Sequence, residues 1–482
     1  MMRRSGHSGY HSARRLDELP ADVLAIPADE MRRLGYWVVD RVVEHFEHGD
    51  EGPAVLVGDP HDLAAALGGP VPQKPGDPLE AMQALVAVAL AHQQHGDHPR
   101  FFARVPGPSS YPGVLGEWLG TGYQTIATSW AGGSGPATVE LVVCGWLAWL
   151  LGLPDTTEGV LLSGGSMANI TGLTAVRNVL GAGVVYLSDQ THSSIGRGLR
   201  SLGLTDDELR VLTTDGQLRL PVDGLRQAVA DDRRSGRRPL MVVATAGTTN
   251  TGTVDQLPQL ADLCREEDLW LHVDGAYGGP AVLCEPGRQA LRGIDRADSV
   301  VLDPHKWLFQ PYDVGCLLVS RRGVLEQAYA MNPEYLLDVT ARPGEVDMRN
   351  RSLELTRRSR ALKLWLTFRT YGAERLGRAV ERGIALAERA EQLLREDPMW
   401  QVVTPAQLGI VTWAATGATS QQHRAAAAAL TNDGYASLTT TALQGRSVLR
   451  LCTLNPRTTE HDIRETLHRL AIYLGQHQDE GP

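Results

Sequence analysis

The chain has 482 residues, 43% of them hydrophobic and 21% charged, enough for one large core with a smaller domain packed against it. A formal charge of -10 at pH 7 and a pI near 5.8 leave no electrostatic footprint for nucleic acid or an anionic membrane surface, so small-molecule chemistry is the starting point. Five widely spaced cysteines, with no CxxC pair, suggest neither a zinc site nor a disulfide framework and fit a reduced, cytoplasmic setting.

The N-terminus, MMRRSGHSGYHSARR, is basic but runs into polar and acidic sequence, so it reads as an unstructured start and not a secretory signal. From about Leu16 to Gln94, amphipathic helical stretches alternate with breaks such as GDPHD and VPQKPGDP, the pattern of a helical arm over residues 1–95. His45, His48, His92, His95 and His98 in this region belong to no HExxH pattern and read as solvated, so no metal is expected. The apolar stretch from Leu141 to Leu153, about 13 residues long, is too short to span a bilayer and reads as a buried helix.

Between Val160 and Ser320, short β-branched runs (GVVYLSD, RPLMVVATA, LWLHVDGA, DSVVLDP, GCLLVS) alternate with helical stretches such as VDGLRQAVADD and LPQLADLCREED. That alternation implies βαβ units and a mainly parallel sheet, in a large domain over residues 96–374. Beyond about Glu374, helical segments rich in Ala, Arg and Glu lead to the strand-like SVLRLCTL and a last helix opened by Thr459 with Asp462 three residues on, a capping-box variant. Residues 375–482 read as a small C-terminal domain.

Three strand ends carry the chemistry: ATAGTTNTG, HVDGAYGG and DSVVLDPHKW. Asp274 follows the apolar run LWLHV, where a carboxylate is costly to bury without a cationic or protonated partner, and a pyridinium nitrogen is such a partner. Lys306 follows VVLDPH, where desolvation can lower its pKa and make it a nucleophile towards an aldehyde. Together they suit pyridoxal phosphate. LLSGGSMANITGL supplies a phosphate cradle of strand end, two glycines, the Ser166 hydroxyl and a helix start. His192, just beyond another strand, can stack on the cofactor ring.

On these residues the chain resembles the pyridoxal-dependent group II decarboxylases, in their aromatic-L-amino-acid decarboxylase branch. The likeness runs from about residue 20 to LRLCTLNPRTTEHDI and is dense in HPRFFARVPGPSSYPGVLGEWL, SGGSMANITGL, SDQTHSSIGR, HVDGAYGG and DPHKWLF. It implies the aspartate aminotransferase-like (type I) α/β fold, with a mainly parallel seven-stranded sheet, helices on both faces, an N-terminal helical arm and a small C-terminal α+β domain. It makes Lys306 the Schiff-base lysine, Asp274 the partner of the pyridine nitrogen and Ala276 the small residue under the ring. Gly165 and Ser166 become phosphate ligands, Thr249, Asp303 and His305 cofactor neighbours, and His192 the stacking residue. Tyr335, in MNPEYLLDV, takes the place of a loop tyrosine that protonates the substrate α-carbon. Arg104, Pro106, Ile126, Thr128 and Arg358 fall at substrate positions, Ile126 and Thr128 reaching the pocket from the partner of a homodimer.

The implied reaction converts an L-amino acid to its amine and carbon dioxide. An aldehyde synthase, which oxidises the carbanion with dioxygen, is the alternative within the family, although such enzymes commonly alter the position of Tyr335 or of His192. A non-catalytic dimeric binding protein has no reason to keep Lys306, Asp274 and Tyr335 together. The sequence leaves the family pattern at Gly96, Arg104, Val105 and Thr128, where bulky apolar rings are usual. That departure implies weaker activity on L-tryptophan and L-phenylalanine than on some polar, acidic or unusually large amino acid, with Arg104 placed to meet a polar or acidic side chain.

Overall fold

The computed structural model describes residues 22–331, 334 and 341–476. Tyr335 and the basic N-terminal stretch of residues 1–15 lie outside them. The chain divides into two units, one of residues 1–51 and 58–92, the other of residues 52–57 and 93–482. In the first, helices Ala28–His48, Pro60–Leu67 and Pro78–Ala84 have no buried residue. The two GDP tripeptides that read as breaks are helix starts. Asp59 and Asp77 accept hydrogen bonds from the amides of His61 and Leu79 at 2.8 and 2.7 Å, and the following prolines fill first-turn positions that need no N–H donor.

The second unit holds two sheets. The larger has seven strands, β1 (Glu158–Leu162), β2 (Val184–Ser188), β3 (Leu209–Leu212), β4 (Pro239–Thr245), β5 (Trp270–Asp274), β6 (Ser299–Leu302) and β7 (Gly315–Val319). Their order is β1-β7-β6-β5-β4-β2-β3, and β7 alone runs against the other six. Alternate residues of each central strand enter two cores. Val242, Ala244, Leu271, Val273 and Val300 face one, with Leu225, Leu260 and Val143 from helices. Met241, Val243, Trp270 and Val301 face the other, with Leu173, Ile195 and Leu325 from other helices. Burial on both faces is why these strands read as continuous apolar runs.

The smaller sheet is antiparallel, in the order β10-β11-β9-β8, from β8 (Trp400–Gln407), β9 (Ile410–Ala415), β10 (Thr439–Leu443) and β11 (Arg446–Cys452). Of these only β11 was legible as a strand. β3, β8 and β10 are half-exposed strands at sheet edges, with a short LRVL, a proline in WQVVTPAQ and a polar TTTAL. β9 is fully buried, but the sequence around it was read as helical. Helix Ala361–Glu396 breaks direction at Gly372, whose φ is 70°, so the expected boundary at residue 374 falls inside one long helix just past its kink. The capping box at Thr459 forms, with Thr459 N donating to Asp462 Oδ2 at 2.8 Å and Asp462 N to Thr459 Oγ1 at 3.2 Å.

Candidate active site

Because β1, β2, β4, β5 and β6 run the same way, their carboxyl ends open on one edge of the sheet, where open α/β sheets bind ligands. There a cleft of about 330 Å³ is lined by Gly165, Ser166, His192, Thr249, Asp274, Ala276, Asp303, His305 and Lys306, among others. Nine of the residues singled out in the sequence therefore meet at one place.

After β1 the chain turns through Gly164, whose φ of 154° favours glycine, into helix Gly165–Leu180. A Cβ on Gly165 would fall 2.7 Å from Asp303 Oδ2 and 3.0 Å from the Ala276 Cβ, so no larger residue fits. After β2, His192 caps helix Ser193–Ser201, and its Nδ1 lies 2.9 Å from Ser194 Oγ. Asp274 ends β5 and is buried; its Oδ1 accepts from Ala276 N at 3.1 Å and its Oδ2 from Asn169 Nδ2 at 3.0 Å.

Asp303, His305 and Lys306 share the short turn after β6. Lys306 Nζ lies 2.9 Å from Asp303 Oδ2. Here the expectation of a lysine pKa lowered by desolvation is overturned. Burial does pull it down, but the Asp303 carboxylate, by charge and hydrogen bond, with Asp274 behind it, raises it above the usual value. Burial pushes His305 the other way, below its usual value. Its Nδ1 accepts from Val314 N at 3.2 Å.

The arrangement fits pyridoxal phosphate. Asp303 Oδ1 and Thr245 Oγ1 are buried without a partner, both on lining residues. The glycine turn offers free helix N-terminal amides to an anion, a carboxylate lies deep in the cleft, and an amine stands at its wall.

The five substrate positions do not line this cleft. Arg104 is exposed, with φ of 55°, and its Nη1 donates to Gln94 Oε1 at 2.7 Å. The acidic-substrate expectation rested on that guanidinium, which is turned to a neighbouring amide. Pro106 is buried beside Gly107, on which a Cβ would fall 2.0 Å from the His305 carbonyl oxygen, so this segment presses on the backbone of the lysine turn. Ile126 pairs with Arg358 in an antiparallel bridge, Arg358 forms an ion pair with Glu117, and the Thr128 carbonyl accepts from Arg349 N at 2.8 Å. Sequence reasoning missed Asn169, which the four-residue spacing from Gly165 puts one helical turn along on the same face. It also missed Tyr312, whose ring centroid is 4.9 Å from that of His305.

A mainly parallel sheet with a lysine, a buried carboxylate and a glycine-opened helix around one cleft defines a pyridoxal-phosphate enzyme of the type I fold. The chain belongs to the pyridoxal-dependent decarboxylase family, whose conserved-domain model matches residues 60–416. It is 43% identical over 460 residues to an aromatic-L-amino-acid decarboxylase of Bacillus atrophaeus, covering 93% of this chain and 96% of that one. It is 31% identical to a phenylacetaldehyde synthase of Arabidopsis thaliana, over 91% of this chain and 94% of the other. Among solved structures, Catharanthus roseus tryptophan decarboxylase in complex with L-tryptophan superposes with a TM-score of 0.87 at 28% identity, covering 94% of this chain and 99% of that one. The protein is a pyridoxal-phosphate-dependent amino-acid decarboxylase.

Proposed function

We propose that the protein decarboxylates an aromatic L-amino acid to its amine, with Lys306, Asp274, His192 and Tyr335 as the catalytic residues. The observation that carries this reading is the meeting of Lys306, Asp274, His192 and the Gly165–Ser166 turn on one cleft. The aromatic class is supported by the Bacillus atrophaeus and Catharanthus roseus relatives.

In this reading Gly165 and Ser166 would bind the phosphate through amides and a hydroxyl, and Lys306 would hold the aldehyde carbon. His192 covers one face of the ring, Ala276 leaves room at the other, and Asp274 holds a proton on the ring nitrogen. Thr249, Asp303 and His305 complete the cofactor shell. When bound, pyridoxal phosphate supplies the electron sink that stabilises the charge left at the α-carbon as carbon dioxide departs. Tyr335 would supply the proton that replaces the carboxylate at the α-carbon, and Lys306 would take the cofactor's aldehyde carbon back as the amine leaves. Retention of both Tyr335 and His192 supports protonation over the oxidative route of the phenylacetaldehyde synthase.

The finer readings are a cytoplasmic homodimer, a division into residues 1–95, 96–374 and 375–482, and a substrate pocket completed by Pro106, Arg104 and Arg358 with the partner's Ile126 and the partner's Thr128. That Ile126 is 39% exposed and outside its own subunit's cleft supports the shared pocket. The test is product analysis across aromatic and polar L-amino acids, for carbon dioxide, amine, aldehyde and peroxide. Amine from an aromatic substrate is expected, and Lys306→Ala should lose both turnover and the visible absorbance of the bound cofactor. Aldehyde with peroxide, or a preference for acidic substrates, would overturn the reading.

A further inference from the structure

Behind Asp274 lies a chain of buried polar side chains with no part in the steps above. Asn169 Nδ2 donates to Asp274 Oδ2 at 3.0 Å and to Ser194 Oγ at 3.3 Å. Asn169 Oδ1 is 3.0 Å from His272 Nε2, His272 Nδ1 is 2.8 Å from Ser299 Oγ, and Trp270 Nε1 donates to Ser299 Oγ at 2.8 Å. Asn169, His272, Ser299 and Trp270 are each no more than 2% exposed, and Ser194 is 5% exposed.

The chemistry of the groups sets the direction of every bond. An amide oxygen can only accept, so Asn169 Oδ1 takes its hydrogen from His272 Nε2; burial keeps the ring neutral, which leaves Nδ1 to accept from Ser299 Oγ, itself accepting from Trp270 Nε1. His272 then carries its hydrogen on Nε2 and donates to Asn169 Oδ1. This commits both amide hydrogens of Asn169 outward, one to Asp274 and one to Ser194. His192 Nδ1 accepts from the Ser194 backbone N–H at 3.3 Å, so it is unprotonated and the Ser194 hydroxyl, 2.9 Å away, donates to it as well. Asp274 receives hydrogens on both oxygens, from Asn169 and from the Ala276 amide. Asn169 stands one turn into the helix that Gly165 opens, so it ties the phosphate cradle, the carboxylate and the histidine together.

We propose that Asn169 is a positioning residue for decarboxylation, the hub that holds the Asp274 carboxyl group and the His192 ring each in one orientation, and that the Trp270–Ser299–His272 chain fixes the orientation of Asn169. This rests on the reading that Asp274 meets the ring nitrogen and His192 the ring face.

The first test uses the wild-type holoenzyme with ¹⁵N-labelled histidine, the His272 signals being identified by their loss in His272→Gln. The expected state is neutral, with Nε2 protonated and Nδ1 accepting; a protonated Nδ1 or an imidazolium would overturn the proposal. The second is Asn169→Ala, expected to lower kcat and raise the dissociation constant for pyridoxal phosphate by about tenfold each, the scale of one charge-assisted hydrogen bond, with KM little changed. If kcat and cofactor affinity stay within about twofold of wild type, less than one such bond contributes, the proposal fails. Should Asn169→Ala not fold, Ser299→Ala leaves His272 Nδ1 without its donor and should lower kcat and cofactor affinity several-fold; values within about twofold of wild type overturn the proposal. His272→Gln, which can still donate to Asn169, should retain more activity than His272→Leu. Full activity of Asp274→Asn would sink the underlying reading, whereas an impaired Asp274→Asn beside a fully active Asn169→Ala sinks only this one.

Discussion

Before it can bond an aldehyde, Lys306 must give up a proton that Asp303 Oδ2, at 2.9 Å, helps to hold in place. Against the pull of burial, the neighbouring carboxylates raise the Lys306 pKa, so the neutral amine is scarce near pH 7. Asp303→Asn removes the main source of that rise. Uptake of pyridoxal phosphate by enzyme stripped of cofactor should become several-fold faster at pH 7.5, followed by stopped-flow absorbance, and less dependent on pH. An unaltered rate and pH profile would count against the ion pair. At His272, burial pushes the pKa from 6.5 to about 4, with Asp274 pulling the other way. Between these values the unfolded chain binds a proton that the folded chain does not, so the contribution is complete above pH 6.5 and is lost as pH falls to 4. The loss is about 3 kcal/mol. Asp255, raised by burial from 3.8 to about 6, works in the opposite sense over nearly the same window and masks the effect in wild type. His272→Gln isolates it. Relative to wild type, the variant should gain about 3 kcal/mol of unfolding free energy in urea as pH falls from 7 to 4, and a pH-independent difference would refute the assignment.

At the scale of elements, the position of the lysine turn depends on what presses against it. Gly107 sits so close that an added Cβ would overlap the His305 carbonyl oxygen, and neither segment can yield without moving the backbone of Lys306. Gly107→Ala should therefore cost about 1–3 kcal/mol in stability and weaken cofactor retention, measured by thermal melting and by absorbance after gel filtration. A variant that melts and binds like wild type would show that the loop has slack. A second clamp holds the strand leading to the glycine turn. Arg357 and Glu140 are both at most 1% exposed; Arg357 donates to Glu140 Oε1 at 2.6 Å and to the Leu161 carbonyl at 2.8 Å, while Glu140 Oε1 accepts from Leu161 N at 2.8 Å. Arg357→Met leaves an unpaired buried carboxylate and should destabilise by about 3–5 kcal/mol. Adding Glu140→Met should restore part of that. A double variant less stable than the single one would contradict the account. The neighbouring Arg358 drew attention in the sequence, yet only the fold shows which of two adjacent arginines points inward.

For the second unit as a whole, the two sheets share one core at the cleft. Trp307, next to Lys306, stacks on Tyr277 at 5.3 Å and 10°, and the Tyr277 hydroxyl accepts from Gly409 N in the turn between β8 and β9 at 2.8 Å. Ile384, Leu408, Ile410 and Leu454 join the same cluster as Val273 and Leu302. The large and small parts should therefore unfold together. With fluorotryptophan labelling, the ¹⁹F signals of Trp270 and Trp413 should vanish at the same denaturant concentration; earlier loss of Trp413 would mean that the small part melts alone.

Lys306, Asp274, His192 and the Gly165–Ser166 turn were legible from sequence because each lies within a few residues of an apolar strand end, and a buried strand must hand its polar neighbours to a loop. The alternation of strands and helices was legible for the same reason, wherever burial on both faces writes a continuous apolar run. What needed the tertiary structure was everything set by approach across the chain. The sign of the Lys306 shift depends on Asp303 being 2.9 Å away, the outward turn of Arg104 on Gln94, and the role of Asn169 on His272, which is 103 residues away in sequence. Such distances are products of packing, and neither composition nor spacing along one strand records which side chains packing will bring face to face.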